Sequence, residues 1–108
     1  MFTLEDLDRA ESIVRRHVPP TPQYAWPLLS DVVGTETWVK HENHQGLGAF
    51  KVRGGINLVS QLSDEEREVG LIAASTGNHG QSVSYSAGLF GVPATICVPE
   101  NANAVKMD

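Results

Sequence analysis

Leu71-Ile72-Ala73-Ala74, then Ser75-Thr76-Gly77-Asn78-His79-Gly80, then Gln81 to Phe90, Gly91-Val92-Pro93 and Ala94-Thr95-Ile96-Cys97-Val98: this run decides the fold. Its first four residues form a short apolar stretch and predict a buried strand. The next six are polar and include Gly77 and Gly80, so the chain turns there. Gln81 to Phe90 is rich in Ser, Ala and Gly and reads as a short helix, its small side chains permitting close packing against a sheet. Gly91 suits a helix end, and Pro93 prevents continuation. Ala94 to Val98 predicts a second buried strand. Strand, helix, strand in this order implies a parallel pair with a right-handed crossover. The expected class is α/β, a parallel open sheet with flanking helices.

Toward the N-terminus, Thr3 and Asp6 form a capping-box-like start. Leu4, Leu7, Ala10, Ile13 and Val14 follow at helical spacing. Arg15, Arg16 and His17 suit the negative helix end, and Pro19-Pro20 stops it. Thr21 to Tyr24 reads as extended, and Thr35 to His41 as a short strand. A second helix is expected from about Phe50 to Leu62, with Val52, Ile56 and Val59 on one face. Ser63-Asp64-Glu65-Glu66 opens a further helical turn with a capping box. Asn103 to Asp108 reads as the opening of another helix. A parallel sheet of two or three strands leaves a face poorly covered and edges bare. The chain is therefore expected to be the front part of a longer protein.

Composition narrows the classes. The chain has 108 residues, an apolar fraction of 41% and a net charge of -5. That charge argues against nucleic-acid or anionic-membrane partners. No apolar run approaches the roughly 18 residues of a membrane span. The start, Met1 to Asp6, is acidic and lacks a signal-peptide pattern. Cys97 is the single cysteine; it lies in an apolar run and is expected to be a buried, inert thiol. With no internal disulfide possible, a reducing cytoplasm is the default. Trp26, Trp38, Phe2 and Phe90 are expected in the core. His41 and His44 lie three apart, one short of the spacing in HExxH, which argues against a metal site.

Two segments carry chemistry. Gly46-Leu47-Gly48-Ala49-Phe50-Lys51-Val52-Arg53-Gly54-Gly55 places Lys51 and Arg53 in a first helical turn, where the macrodipole favours Asp or Glu. The positive helix end also disfavours an ammonium. An ordinary lysine is neutral in only about one molecule in 2,500 at pH 7, so a lysine that must attack a carbonyl gains from such a place. The second segment is Ser75 to Gly80. A turn between strand and helix gathers free N–H groups at a positive dipole end and binds anions. It is neither a Walker loop nor GxGxxG. Ordinary capping by Ser75, Thr76 or Asn78 is the competing explanation. His79 reads equally well as a base or as a hydrogen-bonding strut.

Together, Lys40-His41-Glu42-Asn43, Gly48 to Gly55 and Ser75 to Gln81 resemble the fold-type II pyridoxal-phosphate enzymes, of tryptophan-synthase-β-like fold, in motif, order and separation. The closest branch is that of threonine/serine dehydratases and serine racemases. Cysteine and threonine synthases carry Lys-Asp-Arg where this chain has Lys51-Val52-Arg53. Thr21-Pro22 resembles an early element of the family; Gly46-Leu47 departs from its commoner Pro-Thr.

The resemblance implies roles. Lys51 would carry pyridoxal 5'-phosphate covalently and act as acid and base at the substrate Cα, with Phe50 packing beside the cofactor. Asn78 would hydrogen-bond the ring hydroxyl. Ser75, Thr76, Gly77, Asn78 and His79 would form the loop that grips the α-carboxylate of a small amino-acid substrate. The implied reaction is β-elimination from a hydroxy-amino acid such as threonine or serine, giving a 2-oxo acid and ammonia, in a cytoplasmic homo-oligomer. Residues 1–50 would belong to the large domain and 51–108 would begin the small one. The family's glycine-rich phosphate loop and its contact to the ring nitrogen do not follow Gly80, so the 108 residues alone are expected to be inactive. An amino-acid racemase remains open, as does a dehydratase of hydroxyectoine utilisation, toward which Thr21 to Pro27 points. So does a non-catalytic anion-binding fragment.

Overall fold

The computed structural model describes residues 2–102, so the helix expected at Asn103 to Asp108 lies outside the described residues. Helix α1 spans Leu4–Val14 and opens on the expected capping box between Thr3 and Asp6. It ends at Val14, so Arg15 to His17 lie beyond its last turn. Strand β1 (Gln23–Ala25) pairs antiparallel with β2 (Trp38–Lys40). The helix between them, α2 (Pro27–Val33), has no counterpart among the sequence expectations. It has Pro at its first position and a left-handed Gly34 beyond its end, at φ 78°, the positions where each residue suits a helix boundary. Then come α3 (Lys51–Ser60), α4 (Asp64–Val69), β3 (Leu71–Ala74), α5 (Asn78–Phe90) and β4 (Ala94–Cys97). Ser63 and Glu66 cap α4 reciprocally.

The parallel pair is present, with Leu71 opposite Ala94 and Ala74 opposite Cys97. Both strands depart from expectation in one respect: neither is buried. Alternate side chains turn away from α5, leaving Ile72 77% exposed, with Ala74, Thr95 and Cys97 exposed too. A run of four apolar residues marks a strand without showing whether one face or both are covered. The Cys97 thiol is likewise exposed instead of buried. Trp26, Trp38 and Phe2 are also exposed. Only Phe90 joins the core, packing against Val14, Val18, Val52 and Ile56 on one side and Val59, Ala87 and Val92 on the other.

That core lies along α3. The expected face of Val52, Ile56 and Val59 is fully buried, each at 1% exposure or less. The tightest packing is between α3 and α5. A Cβ at Gly55 would come within 2.4 Å of Ser82 Oγ, 2.6 Å of Ser86 Oγ and 2.9 Å of the Ser82 carbonyl oxygen. The small residues of α5 thus serve α3 as well as the sheet. Gly80 meets the sheet end, where a Cβ would lie 3.0 Å from the Ser75 carbonyl oxygen. Gly55→Ala should destabilise the full-length protein by about 1–3 kcal/mol through overpacking, read as a lower denaturation midpoint. An unchanged midpoint would mean the two helices part easily.

Candidate active site

Contacts between α3 and α5 run in step. Ser82 Oγ donates to the Lys51 carbonyl at 2.7 Å. Gly55 abuts Ser82 and Ser86, and Val59 packs with Ala87. Numbers rise together along both helices, so they lie parallel with both N-termini at one end. Neither terminus has a side-chain cap. The first N–H groups of each helix therefore lack intrahelical partners. In α5 the Gln81 N–H reaches the Gly77 carbonyl at 3.2 Å. Ser75 Oγ accepts from the Gly77 N–H at 3.3 Å, a local turn and not a helix cap. Ordinary capping by Ser75, Thr76 or Asn78 therefore does not account for the segment.

Lys51 and Arg53 do occupy the first turn of α3, at its first and third positions, and the structure separates their explanations. Arg53 has a partner: its Nε donates to Glu42 Oε2 at 2.7 Å and its Nη2 to Oε1 at 3.2 Å. Glu42 also accepts from Thr21 Oγ1 at 2.6 Å. The Lys40 amine donates to the Thr21 carbonyl at 3.1 Å. Among the described residues, the four ion pairs leave Lys51 out. Sequence reading missed both Glu42 and Gln45. Gln45 braces the loop before Lys51, with Nε2 donating to the Ala49 carbonyl at 2.5 Å and Oε1 accepting from the Leu47 N–H at 2.8 Å. No local pattern announces either contact.

The Arg53 hydrogen bonds hold the Glu42 carboxyl below its ordinary value of 4.5; partial burial opposes them and the Thr21 bond assists. A depressed folded value means the stabilisation is complete above pH 4.5 and is lost as pH falls through the lowered value. Glu42→Gln should therefore cost about 1–2 kcal/mol at neutral pH, the lower part of the range for charge-assisted bonds because Glu42 keeps some solvent contact. The difference from the parent should shrink below pH 4.5. Denaturation midpoints across pH 3–7 measure it; a pH-independent difference would contradict this account.

The expected site residues divide between two recesses. One, of about 600 Å³, lies where α3 meets α5 and is lined by Phe50, Lys51, Gly55, His79 and Ser82, among others. The other, of about 510 Å³, is lined by Ser75, Thr76 and Gly77 together with Gly46, Leu47 and Tyr85. Asn78, exposed at the first position of α5, is not among the residues lining either. His41 and His44 stack 5.0 Å apart and are not among the residues lining either recess. Among the described residues no cluster of three or more candidate metal ligands occurs, and no helix is long and apolar enough to cross a membrane.

This arrangement has close counterparts. The chain is 46% identical over 105 residues to L-threo-3-hydroxyaspartate ammonia-lyase of Saccharomyces cerevisiae, covering 97% of the chain and 32% of the relative. It is 44% identical over 107 residues to L-threonine ammonia-lyase of Thermotoga maritima, covering 99% and 27%. The crystal structure of serine racemase from Dictyostelium discoideum superposes with a TM-score of 0.87 at 35% identity, covering 97% of this chain and 34% of that one. The chain thus spans about a third, or less, of the length of these relatives. Residues 14–108 match the family model described as pyridoxal-phosphate dependent enzyme, and with nearly the whole chain so matched, it belongs to the pyridoxal-phosphate-dependent enzymes of fold type II.

Proposed function

We propose that the whole protein is a pyridoxal-phosphate-dependent ammonia-lyase. It removes the β-hydroxyl of a small hydroxy-amino acid such as threonine or serine and gives a 2-oxo acid and ammonia. One observation carries the reading: parallel α3 and α5 set a lysine that has no ionic partner among the described residues beside an uncapped helix start. The names of the two ammonia-lyases agree with it. An amino-acid racemase is the second reading, supported by the structural likeness to a serine racemase.

The residues fit the cofactor. An aldehyde needs a free amine, and Lys51 is exposed, with no ion pair among the described residues. A flat ring suits an aromatic neighbour, and Phe50 is 64% exposed beside it. Bound there, pyridoxal phosphate supplies an electron-accepting ring that stabilises negative charge at the substrate Cα. The Lys51 amine would hold the cofactor and, when free, would take or return the proton at the substrate Cα. Asn78, exposed at the first position of α5, would donate to the ring hydroxyl. Ser75, Thr76, Gly77 and His79, with the N–H groups opening α5, would bind the α-carboxylate and so orient the substrate Cα for Lys51.

The finer expectations belong to the same proposal: a cytoplasmic homo-oligomer acting on a free amino acid, with neither nucleic acid nor membrane as partner. Residues 1–50 belong to a larger domain and 51–108 to a smaller one. The core joining Val14 and Val18 to Val52 and Ile56 would then be the seam between them. Borohydride reduction of the full-length protein with its cofactor, followed by peptide mass spectrometry, tests the central claim. The pyridoxyl group should sit on Lys51; finding it on Lys40 or Lys106 would overturn the assignment.

A further inference from the structure

Ser82 lies one turn into α5 and is 2% exposed. Its hydroxyl donates 2.7 Å across the helix interface to the carbonyl oxygen of Lys51. Ser86 follows one turn later on the same face, is equally buried, and its hydroxyl has no hydrogen-bond partner among the described residues. Both hydroxyls crowd Gly55, so both serines pack against α3, but only Ser82 grips its backbone. It does so at the residue whose side chain carries the amine.

We infer that Ser82 is a positioning residue for Lys51: its bond to the Lys51 carbonyl sets where the first turn of α3 stands against α5. The inference rests on the function proposed above. The Lys51 amine hangs from the Cα that this bond anchors, while His79, in the first turn of α5, lines the same recess. One hydroxyl thereby ties the start of one helix to the other. Packing alone does not require it, since alanine would fill nearly the same volume. Ser86 serves as the internal control, a hydroxyl in the same interface without the tether.

The test uses full-length Ser82→Ala, Ser82→Cys and Ser86→Ala beside the parent. In the cofactor-free proteins, amide exchange is followed over residues 51–56. Ser82→Ala should exchange there roughly 2- to 12-fold faster, the equivalent of one lost neutral hydrogen bond. With cofactor and an α-deuterated substrate, kcat should fall about tenfold, because small misplacements of reacting groups are costly. KM should stay within about twofold, because the carboxylate loop is untouched. The deuterium isotope effect on kcat should rise as proton transfer by Lys51 becomes slower. Ser82→Cys, a weaker donor, should fall between, and it decides by the same criteria should Ser82→Ala not fold. Ser86→Ala should match the parent throughout. Unchanged exchange and isotope effect in the Ser82 variants, or a Ser86→Ala protein that behaves like Ser82→Ala, would overturn the inference. A parent not labelled by borohydride at Lys51 would instead sink the proposed function and this inference with it.

Discussion

Lys51→Ala in the full-length protein should leave no covalently held cofactor and essentially no turnover. Loss of the acid–base group alone accounts for about 10²- to 10⁴-fold, and loss of the covalent anchor adds to that. The chain holds two other lysines, Lys40 and Lys106. The Lys40 amine is already engaged by the Thr21 carbonyl and by Glu42. Lys51→Arg should be as inactive, because a guanidinium does not deprotonate to supply a free amine. Neither change should unfold the protein. Lys51 is exposed at the first position of α3; Lys51→Ala takes a cation away from a positive helix end, which is favourable if anything, and Lys51→Arg leaves the charge as it was. A variant whose denaturation midpoint matches that of the cofactor-free parent, and that takes no borohydride label, is the expected result. Retained turnover in either variant would remove Lys51 from the mechanism.

Ser75→Ala should weaken substrate binding and turnover about 10- to 150-fold, the worth of one charge-assisted hydrogen bond, with cofactor content nearly unchanged. Ser75 is suited to this separation. Its N–H continues the ladder to the Cys97 carbonyl at 3.1 Å and survives the substitution, while its hydroxyl accepts only locally, from the Gly77 N–H. Removing the hydroxyl therefore alters the turn without detaching it from the sheet. Asn78→Ala should instead change the visible absorbance of the bound cofactor. A Ser75→Ala protein that loses cofactor but keeps its substrate affinity would show the two roles to be reversed.

What the sequence disclosed follows how local each signal is. The capping boxes at Thr3 and Ser63 were legible because both partners lie within one turn. So was the face of Val52, Ile56 and Val59, written in helical spacing. Helix α2 was missed although Pro27 and Gly34 mark its ends, because its seven residues carry little periodicity. Exposure of Ile72 and Cys97 was not legible, since burial depends on what packs from outside the strand. Arg53 read as a functional oddity until Glu42, eleven positions earlier, was found across from it. Both candidate segments stood out by their residue types. That His79 shares a recess with Lys51 depends on α3 and α5 lying parallel, a relation between distant segments.

The helix interface also governs how sequences of this protein can drift. At position 55 a single added carbon meets two hydroxyls and a backbone carbonyl. Trimming Ser82 and Ser86 to glycine would clear the hydroxyls, yet the Ser82 carbonyl would remain 2.9 Å from the new carbon. Mutations at these sites should therefore be epistatic and one-sided. Losses at 82 and 86 make an alanine at 55 less harmful without making it free, because side chains can be exchanged and the backbone cannot. A triple-mutant cycle on stability should show positive coupling that stops short of full rescue.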